Sequence, residues 1–465
     1  MMWITKSILI FLLLSSSFAY SFDAGEHALL GDLAMKRYHP EFDNHIINLE
    51  AEVDFSYGHL IAMSADMYQS VEELALDEQK YIKNYLLHNR KKLKQCIDKE
   101  VMSIKKGGEY KKCSETNMVK RKFRYITLAH DNFSHFAWHN LVNYIYYHEQ
   151  ALWFAELAYL KCTNEEKKSA PEMCTKKKEQ RQNKVSSSSY QESLPKRYSY
   201  LKKVLSRRKI TQDYLMELSH KKLLHLALFT NAYGDHFLTD AFSAGHLRVP
   251  RSQIDAFVEY NGTMNKKSKR EREDGSIVSG ALTQYLHNLD GYITGIEVQN
   301  IRGDKFTVRG DKQLFSVNDD VLLAGHPEKQ SRANIAIEAV GISIGEILNM
   351  ASKGVVEKRF SALNLVPYID YTKTASLQDT VTQHVKGSGS IKKALNQMSP
   401  EMLTMYRGAL LFDESNDYKD FFAKFTNSIN DMMAQLRAQI KQDIEQNDDA
   451  KKIPEALRSH LINIR

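Results

Sequence analysis

Apolar residues recur at helical spacing along most of this chain. The pattern predicts helices in nine stretches, which by number are 24–38, 59–74, 78–94, 120–160, 214–243, 277–287, 327–352, 417–446 and 454–464. Prolines, which end or kink helices, number eight among 465 residues, so long helices can run without interruption. The sequence therefore predicts a mainly α fold built as a multi-helix bundle.

Two stretches depart from the helical pattern. Residues 292–299 alternate apolar and polar side chains, and the turn Arg302-Gly303-Asp304 leads into a second short strand at 305–308. They predict a small β-hairpin insertion, 292–325 with its connection, laid on the helical body. Residues 162–209 are rich in lysine and serine, which predicts an inserted loop or short charged helices.

The first residues have the pattern of a secretory signal. Lys6 gives a basic start, an apolar run covers 8–14, and Ala19-Tyr20-Ser21 is a small-x-small cleavage site. We expect a signal peptide at 1–21 and a secreted or periplasmic protein without a transmembrane segment, because no stretch is long enough to cross a bilayer. The remainder is expected to form a main helical domain at 22–352 and a helical C-terminal region at 353–465.

The formal net charge is +7, and the positive excess is concentrated in lysine-rich stretches at 176–184, 196–209 and 266–272. Such runs usually form solvated surface. The alternative is attraction to an anionic partner such as a membrane surface or nucleic acid.

Four cysteines in an exported chain suggest two disulfides. Local pairing would join Cys96 to Cys113 and Cys162 to Cys174 and would staple two basic loops. Three connectivities are possible, and the sequence does not choose among them. The chain has no CxxC pair, which argues against a thiolate zinc site.

The segment from Asn231 to Arg248, NAYGDHFLTDAFSAGHLR, contains the motif H-x3-D-x5-H. His236 and Asp240 are four residues apart in an apolar helical run, so their side chains project from one face of a helix. Gly245 suits a helix end, after which His246 can turn back toward the same point. Two imidazoles and a carboxylate that converge predict a zinc site with an open coordination position.

Other histidines and aspartates have suitable surroundings. His27 lies in FDAGEHALL, and Asp66 lies in YGHLIAMSADMY, where a lone carboxylate on an apolar helix would be costly unless it were paired or bound to metal. His135 lies in the aromatic stretch DNFSHFAWH, predicted as helix, and His287 and Asp290 form LHNLDG at a helix end. Taken singly, each histidine could equally be a surface or core residue.

Taken in order, these residues resemble the ligand series of the bacterial zinc-dependent phospholipase C family, which shares its all-helical fold with fungal zinc-dependent single-strand nucleases. The H-x3-D-x5-H core matches the family's spacing without a gap. The phrases FDAGEHA, YGHLIAMSADMY, NFSHF, DHFLTDAFSAGH and LHNLDG look closer to a larger bacterial branch of zinc metallophospholipases C. The resemblance covers residues 22–298 and does not clearly reach the C-terminal region.

The resemblance implies two to three zinc ions in a catalytic domain at 22–352. One ion would be held by Asp66, His135, His236 and Asp240, a second by His246, His287 and Asp290, and a third by His27, Asp240 and the mature N-terminal amine. The family's last carboxylate usually comes four residues after its histidine, whereas Asp290 comes three after His287.

The activity that the resemblance implies is a phospholipase C whose substrate is a phospholipid membrane surface. It would hydrolyse the phosphodiester of phosphatidylcholine-like lipids to diacylglycerol and a phosphorylated head group, through a hydroxide held by the metals, with Asp66 as the catalytic base. Arg248 could contact phosphate or form a surface salt bridge. Aromatic residues at helical spacing are more often part of the hydrophobic core. Four of them could nevertheless pack against a lipid or a choline group: Tyr57, Tyr68, Phe136 and Trp138.

Two alternatives stay open. The basic balance and the aromatic residues also fit a zinc-dependent single-strand nuclease or nucleotidase, although no stable nucleic acid complex is expected. The lysine-rich loops and C-terminal helices would fit a non-catalytic exported protein that binds a membrane or a partner. Eight candidate ligands without a thiolate exceed what a structural zinc needs, which favours an enzyme.

Overall fold

The computed structural model describes residues 24–42, 54–68, 70–71, 74, 83–106, 132–187, 212–261, 269–310, 313–315, 331–390, 393 and 417–465. The predicted signal peptide at 1–21 lies outside these ranges, and so does the lysine-rich stretch at 196–209.

The described residues contain seventeen α-helices and three short β-strands, so the fold is mainly α as predicted. In chain order the helices are α1 (Ala24–Tyr38), α2 (Tyr57–Met63), α3 (Lys83–Lys105), α4 (Trp138–Tyr159), α5 (Asn164–Ser169), α6 (Pro171–Ser187), α7 (Gln212–Glu217), α8 (His220–Asp240), α9 (Ala244–Leu247), α10 (Arg251–Asn261), α11 (Lys269–Asn288), α12 (Arg332–Lys353), α13 (Leu377–Gly387), α14 (Asp417–Asn427), α15 (Ile429–Gln446), α16 (Asp448–Lys451) and α17 (Glu455–Leu461). The strands are β1 (Ile296–Gln299), β2 (Lys305–Val308) and β3 (Tyr368–Ile369).

Helix α8 lies at the centre of the bundle. Every residue from Leu223 to Asp240 is buried, and the helix packs against α2, α4 and α12. A helix that is apolar on nearly all sides is typical of such a surrounded position. Ser219 begins it, because its hydroxyl accepts a hydrogen bond from the backbone of Lys222 at 3.2 Å. This cap separates α7 from α8, where the sequence predicts one helix over 214–243.

Two predicted helices are interrupted beside candidate site residues. The sequence predicts Asp66 on a helix. Helix α2 instead ends before Ala65, whose φ is 54°, and Asp66 lies in a turn. Helix α4 begins after Ala137, whose φ is 49°, so His135 ends a 3-10 turn (Asn132–His135) that replaces the predicted helix there. Left-handed backbone at a residue other than glycine is maintained by tertiary contacts, which apolar periodicity does not reveal.

The predicted hairpin forms one small sheet. Strand β1 pairs antiparallel with β2, with Ile296 opposite Val308, and the strand order is β2-β1-β3. Residues 292–294, predicted as strand, instead continue α11 as a π-helical turn (Leu289–Thr294). Gly295, with φ 65°, ends this turn in a conformation that glycine adopts without steric cost. Strand β3 comes from the C-terminal region and was not predicted.

The C-terminal region shares its hydrophobic core with the rest of the bundle. Phe257 of α10 contacts Phe421 and Phe425 of α14, with ring centroids 5.6 and 5.8 Å apart. Lys452 forms an ion pair with Glu149 of α4. Together with β3, these contacts join the residues beyond 353 to the helical body.

The disulfide between Cys162 and Cys174 is confirmed, with Cα atoms 5.7 Å apart. It closes a hairpin of α5 and α6, so the described part of the predicted insertion consists of short charged helices. Lys177 pairs with Glu166 across this hairpin at 3.0 Å. Cys96 is also disulfide-bonded, and its predicted partner Cys113 lies outside the described residues.

Helix α12 is long and apolar enough to cross a bilayer, but 67% of its most apolar stretch is buried inside the protein. The core helix of a globular bundle satisfies the same criteria of length and composition. The described residues therefore contain no clear membrane-spanning segment.

Helices α1 and α2 cross where two glycines meet. A Cβ atom added at Gly31 would lie 2.7 Å from the Cα of Gly58, and one added at Gly58 would lie 1.9 Å from the carbonyl oxygen of Ala28. The backbone N–H of Gly58 donates to the Asp32 carboxylate at 3.1 Å. This close approach brings His27, on α1, beside the elements that carry the other candidate ligands.

We predict that Gly58→Ala lowers the stability by about 2 kcal/mol or more, because backbone atoms cannot yield as flexible side chains do. Gly280→Ala is the control, since a Cβ atom at Gly280 would meet nothing within 4 Å in a helix that alanine favours. Chemical denaturation of both variants measures the difference. Equal stabilities for the two would contradict the proposed packing of α1 on α2.

Candidate metal centre

Five histidines form a continuous buried array at the C-terminal half of α8. Successive ring centroids are separated by 4.4 Å (His27 to His236), 5.0 Å (His236 to His135), 6.4 Å (His135 to His246) and 5.2 Å (His246 to His287). These histidines come from five separate segments of the chain. The structure therefore brings together all five imidazoles that the sequence singled out.

Two carboxylates lie within this array. Asp240 follows His236 by one helical turn, and its side chain, with no exposed surface, accepts a hydrogen bond from His135 Nδ1 at 2.7 Å. One oxygen of Asp66 is 3.6 Å from His236 Nε2 and the other is 3.8 Å from His135 Nε2. His27 Nε2 is 3.6 Å from Asp240.

Oxygen atoms of the protein set the tautomers of four rings. A backbone carbonyl can only accept, so His236 Nδ1 donates to Ile61 O at 2.9 Å and His246 Nδ1 donates to His135 O at 2.6 Å. His287 Nδ1 bonds to the side-chain oxygen of Asn288 at 3.1 Å. Each of these contacts fixes the form whose lone pair is on Nε2, as the outer contacts of metal-binding histidines do.

His27 is held in the same way by Thr239. The Thr239 hydroxyl donates its hydrogen to the carbonyl of Asp235 or His236, at 2.9 or 2.8 Å, so it can accept a hydrogen bond from His27 Nδ1 at 2.9 Å. The lone pair of His27 then also lies on Nε2, the nitrogen that faces Asp240.

Two groups of three side chains could each hold a metal ion. They are His27, His236 and Asp240, and Asp66, His135 and His236, and within each group the candidate ligand atoms lie within 4.8 Å of one another. Nitrogen and oxygen donors of this kind suit zinc and other divalent transition metals. Among the described residues, His246, His287 and Asp290 do not form a third group of this kind.

Burial holds the imidazoles in the neutral form that binds metal. It lowers the pKa of His135 to about 3 and, together with the neighbouring His135, that of His236 to about 4. Burial and then His236 lower the pKa of His27 well below its ordinary value, and burial and then His287 do the same for His246. At neutral pH these rings carry no charge, so they do not balance the buried Asp240 carboxylate.

His246 and His287 meet across a glycine. A Cβ atom at Gly245 would lie 2.0 Å from the His287 ring, so only glycine permits this approach. Gly245 lies inside α9, not at the helix end that the sequence predicts. His246 also stacks on Phe136, with centroids 4.2 Å apart, and its buried Nε2 has no hydrogen-bond partner in the described part of the chain.

Asp290 and Arg248 lie beside this pair and bond to each other. Arg248 Nε donates to one carboxylate oxygen at 2.8 Å and Nη2 donates to the other at 2.6 Å. Both side chains are buried, so the salt bridge considered for Arg248 exists but is not on the surface.

The aromatic residues near the site belong to the core. Tyr57, Tyr68, Phe136 and Trp138 are all almost completely buried. The Tyr57 hydroxyl donates to Asp235 at 2.7 Å. These aromatic side chains are therefore part of the core packing around the candidate metal centre.

A second buried polar cluster lies behind the site and was missed from the sequence. Asp235 accepts hydrogen bonds from Tyr57 at 2.7 Å and from Ser343 at 2.6 Å, and Asn231 donates to it at 3.1 Å. Burial raises the pKa of Asp235 to about 7. The cluster ties α8 to α2 and α12, and the one sequence signal was an acidic residue in an otherwise apolar helix.

The residues that set the tautomers were also missed. Thr239 and Asn288 directly precede or follow candidate ligands, but their roles depend on side-chain direction. The carbonyl of Ile61 carries no signal in the sequence at all.

Comparisons of this chain with family models, with curated proteins and with solved structures find no match.

We predict that Gly245→Ala displaces His287 and weakens metal binding, because the added methyl group would overlap the ring. The measurement is the rise in melting temperature on adding Zn²⁺, which reports binding to the folded state. Gly280→Ala, on the same helix as His287, should keep the full rise. A full rise in the melting temperature of Gly245→Ala on adding Zn²⁺ would show that His287 is not needed for metal binding.

Histidine burial also predicts acid sensitivity in the metal-free protein. Between its folded pKa of about 3 and its ordinary value of 6.5, His135 binds a proton only when unfolded, so the free energy of unfolding falls as the pH drops through this range. His135→Asn should reduce that slope by up to about 1.4 kcal/mol per pH unit. Urea unfolding with chelator from about pH 7 to about pH 5 measures it. An unchanged slope would contradict the buried neutral state.

Proposed function

We propose that this protein is a metal-dependent phosphodiester hydrolase, and specifically a secreted zinc phospholipase C that releases diacylglycerol from phosphatidylcholine-like lipids. The observation that carries the proposal is the array of imidazoles, four of them with Nδ1 bonded to protein oxygens, beside the buried Asp240 and the partly buried Asp66. A structural zinc site is normally closed by four ligands, whereas this array is larger and lacks thiolates.

The donor set fits two to three zinc ions. Asp66, His135 and His236 would hold one ion, His27, His236 and Asp240 would hold another, and His246 and His287 offer two further nitrogens. When bound, such ions supply Lewis acidity, which polarises phosphoryl oxygens and makes a water molecule acidic near neutral pH.

Asp66 is the residue that we assign as general base. Its side chain retains 9% of its surface exposed, whereas that of Asp240 is fully buried. Its position in a turn, preceded by the left-handed Ala65, directs the carboxylate toward His135 and His236 from outside α8. A carboxylate at the edge of the array can accept the proton of the attacking water.

The charge balance favours an anionic substrate. Burial keeps the imidazoles neutral, Asp290 is paired with Arg248, and the two carboxylates in the groups that could hold metal are Asp66 and Asp240. The positive charge of two or more divalent ions would exceed the negative charge of these two carboxylates. The excess would leave a positive field in a site of low dielectric constant. Such a field stabilises the negative oxygens of a phosphodiester and of its transition state.

We predict that Asp240→Asn lowers the hydrolysis of a chromogenic phosphocholine ester by at least about a hundredfold, because the amide supplies no charge to a bound ion. Asp431→Asn, on the exposed face of α15, is the matched control and should keep wild-type activity. Dialysis against chelator should abolish the wild-type activity and Zn²⁺ should restore it. Full activity after chelation would refute the proposal.

The substrate class is tested on two substrates that contain phosphodiester bonds, phospholipid vesicles and single-stranded DNA. Phosphatidylcholine vesicles should yield diacylglycerol and phosphocholine, while the DNA stays intact. DNA fragments without diacylglycerol would instead identify a single-strand nuclease, the alternative that the basic net charge of +7 favours.

A further inference from the structure

Arg248 and Asp290 form a bidentate ion pair in the interior of the protein. The two hydrogen bonds are 2.8 Å (Nε to Oδ2) and 2.6 Å (Nη2 to Oδ1), and neither side chain exposes more than 1% of its surface. Parallel N–H to oxygen bonds of this kind fix both the distance and the relative orientation of the two segments. We call this pair the clasp.

The clasp joins the two segments that carry the last two candidate ligands. Arg248 comes two residues after His246, at the end of α9, and Asp290 comes three after His287, in the π-helical turn. The imidazoles of His246 and His287 are in contact, with centroids 5.2 Å apart. The relative placement of these rings therefore depends on a bond just beyond each of them.

The clasp also reaches the C-terminal region. Arg248 Nη1 donates to the carbonyl of Ala375 at 2.6 Å, and Nη2 donates to the Thr380 hydroxyl at 3.3 Å. Four of the five N–H donors of this guanidinium are thereby used within the protein. A buried group with its donors so occupied is poorly suited to bind a substrate phosphate.

Asp290 is likewise occupied. Both of its oxygens accept from Arg248, and its carboxylate does not join either group of side chains that could hold a metal. The clasp is electrically neutral as a pair, which allows both charges to be buried together.

We propose that Arg248 and Asp290 are positioning residues that hold His246 and His287 in place for metal binding, and that neither contacts phosphate or metal directly. This inference rests on the proposed metal-dependent function. It gives the C-terminal region a role, since Ala375 and Thr380 also accept hydrogen bonds from the guanidinium.

The two roles differ in what a double substitution does. Removing one partner of a buried ion pair leaves an uncompensated charge, whereas replacing both by neutral groups removes that penalty. If Asp290 only positions the histidines, a double variant loses the uncompensated charge and regains part of the metal binding, although the two segments are no longer joined. If Asp290 is a metal ligand, the double variant remains as deficient as the single one.

The experiment uses the full chain and Co²⁺ alone, whose visible absorption reports coordination. Wild type, Asp290→Asn, Arg248→Met and the double variant are stripped of metal and titrated, and folding is checked by circular dichroism. We expect each single variant to bind Co²⁺ at least about tenfold more weakly, as second-sphere losses do. The double variant should bind Co²⁺ more tightly than either single variant but more weakly than wild type, with the wild-type spectrum.

Three results would overturn the inference. A double variant as weak as Asp290→Asn would make Asp290 a ligand, and a single or double variant that binds like wild type would show that the clasp positions nothing. A wild type that takes up no Co²⁺ would remove the metal centre itself, and so separates failure of the proposed function from failure of the clasp alone. If the double variant does not fold, Arg248→Lys provides the test. Because lysine keeps the positive charge, this variant should bind Co²⁺ more tightly than Arg248→Met does. Equally weak Co²⁺ binding by the two variants would then contradict the proposal.

Discussion

Burial of the Asp240 carboxylate at the centre of the bundle is the constraint on which the rest of the structure depends. The residue lies at the end of a helix that is enclosed on all sides, and it has no exposed surface. The rings around it are neutral, because the same burial lowers their pKa values. A carboxylate in such surroundings is costly unless it is hydrogen-bonded, paired or bound to a metal ion, and His135 supplies one hydrogen bond to it.

The backbone contributes as much to the site as the side chains do. Carbonyl groups of Ile61 and His135 fix two imidazole tautomers, and Ala137 N–H donates to the carbonyl of His246 at 2.6 Å. The left-handed conformations of Ala65 and Ala137 aim these segments at α8. Strain of about 1–3 kcal/mol at each such residue is characteristic of functional sites, where the surrounding packing maintains it.

Two faces of helix α8 carry polar side chains: one contributes candidate metal ligands, and the other forms hydrogen bonds to neighbouring helices. His236 and Asp240 point into the imidazole array, whereas the preceding Asp235 points to Tyr57 and Ser343 on the neighbouring helices. Anchoring one face by buried hydrogen bonds fixes the rotation of the helix about its axis, and with it the direction of the two candidate ligands. The bundle thus orients the candidate ligands through polar contacts that lie outside the imidazole array.

The sequence by itself determined the mainly α fold, the bounds of α1, the β1–β2 hairpin and the motif of His236, Asp240 and His246, because period, turn residues and motif spacing are local properties. The other five candidate ligands came from the resemblance of their order to that of a known family. It placed Asp66 and His135 on helices, and it could not show that Arg248 pairs with Asp290 or that Gly245 makes room for His287. The Arg248–Asp290 and Gly245–His287 contacts each join residues 42 positions apart in the chain, so only the tertiary structure decided them. The same reason explains why β3 and the Asp235 cluster were missed: hydrogen bonds across the fold leave no periodicity in the chain.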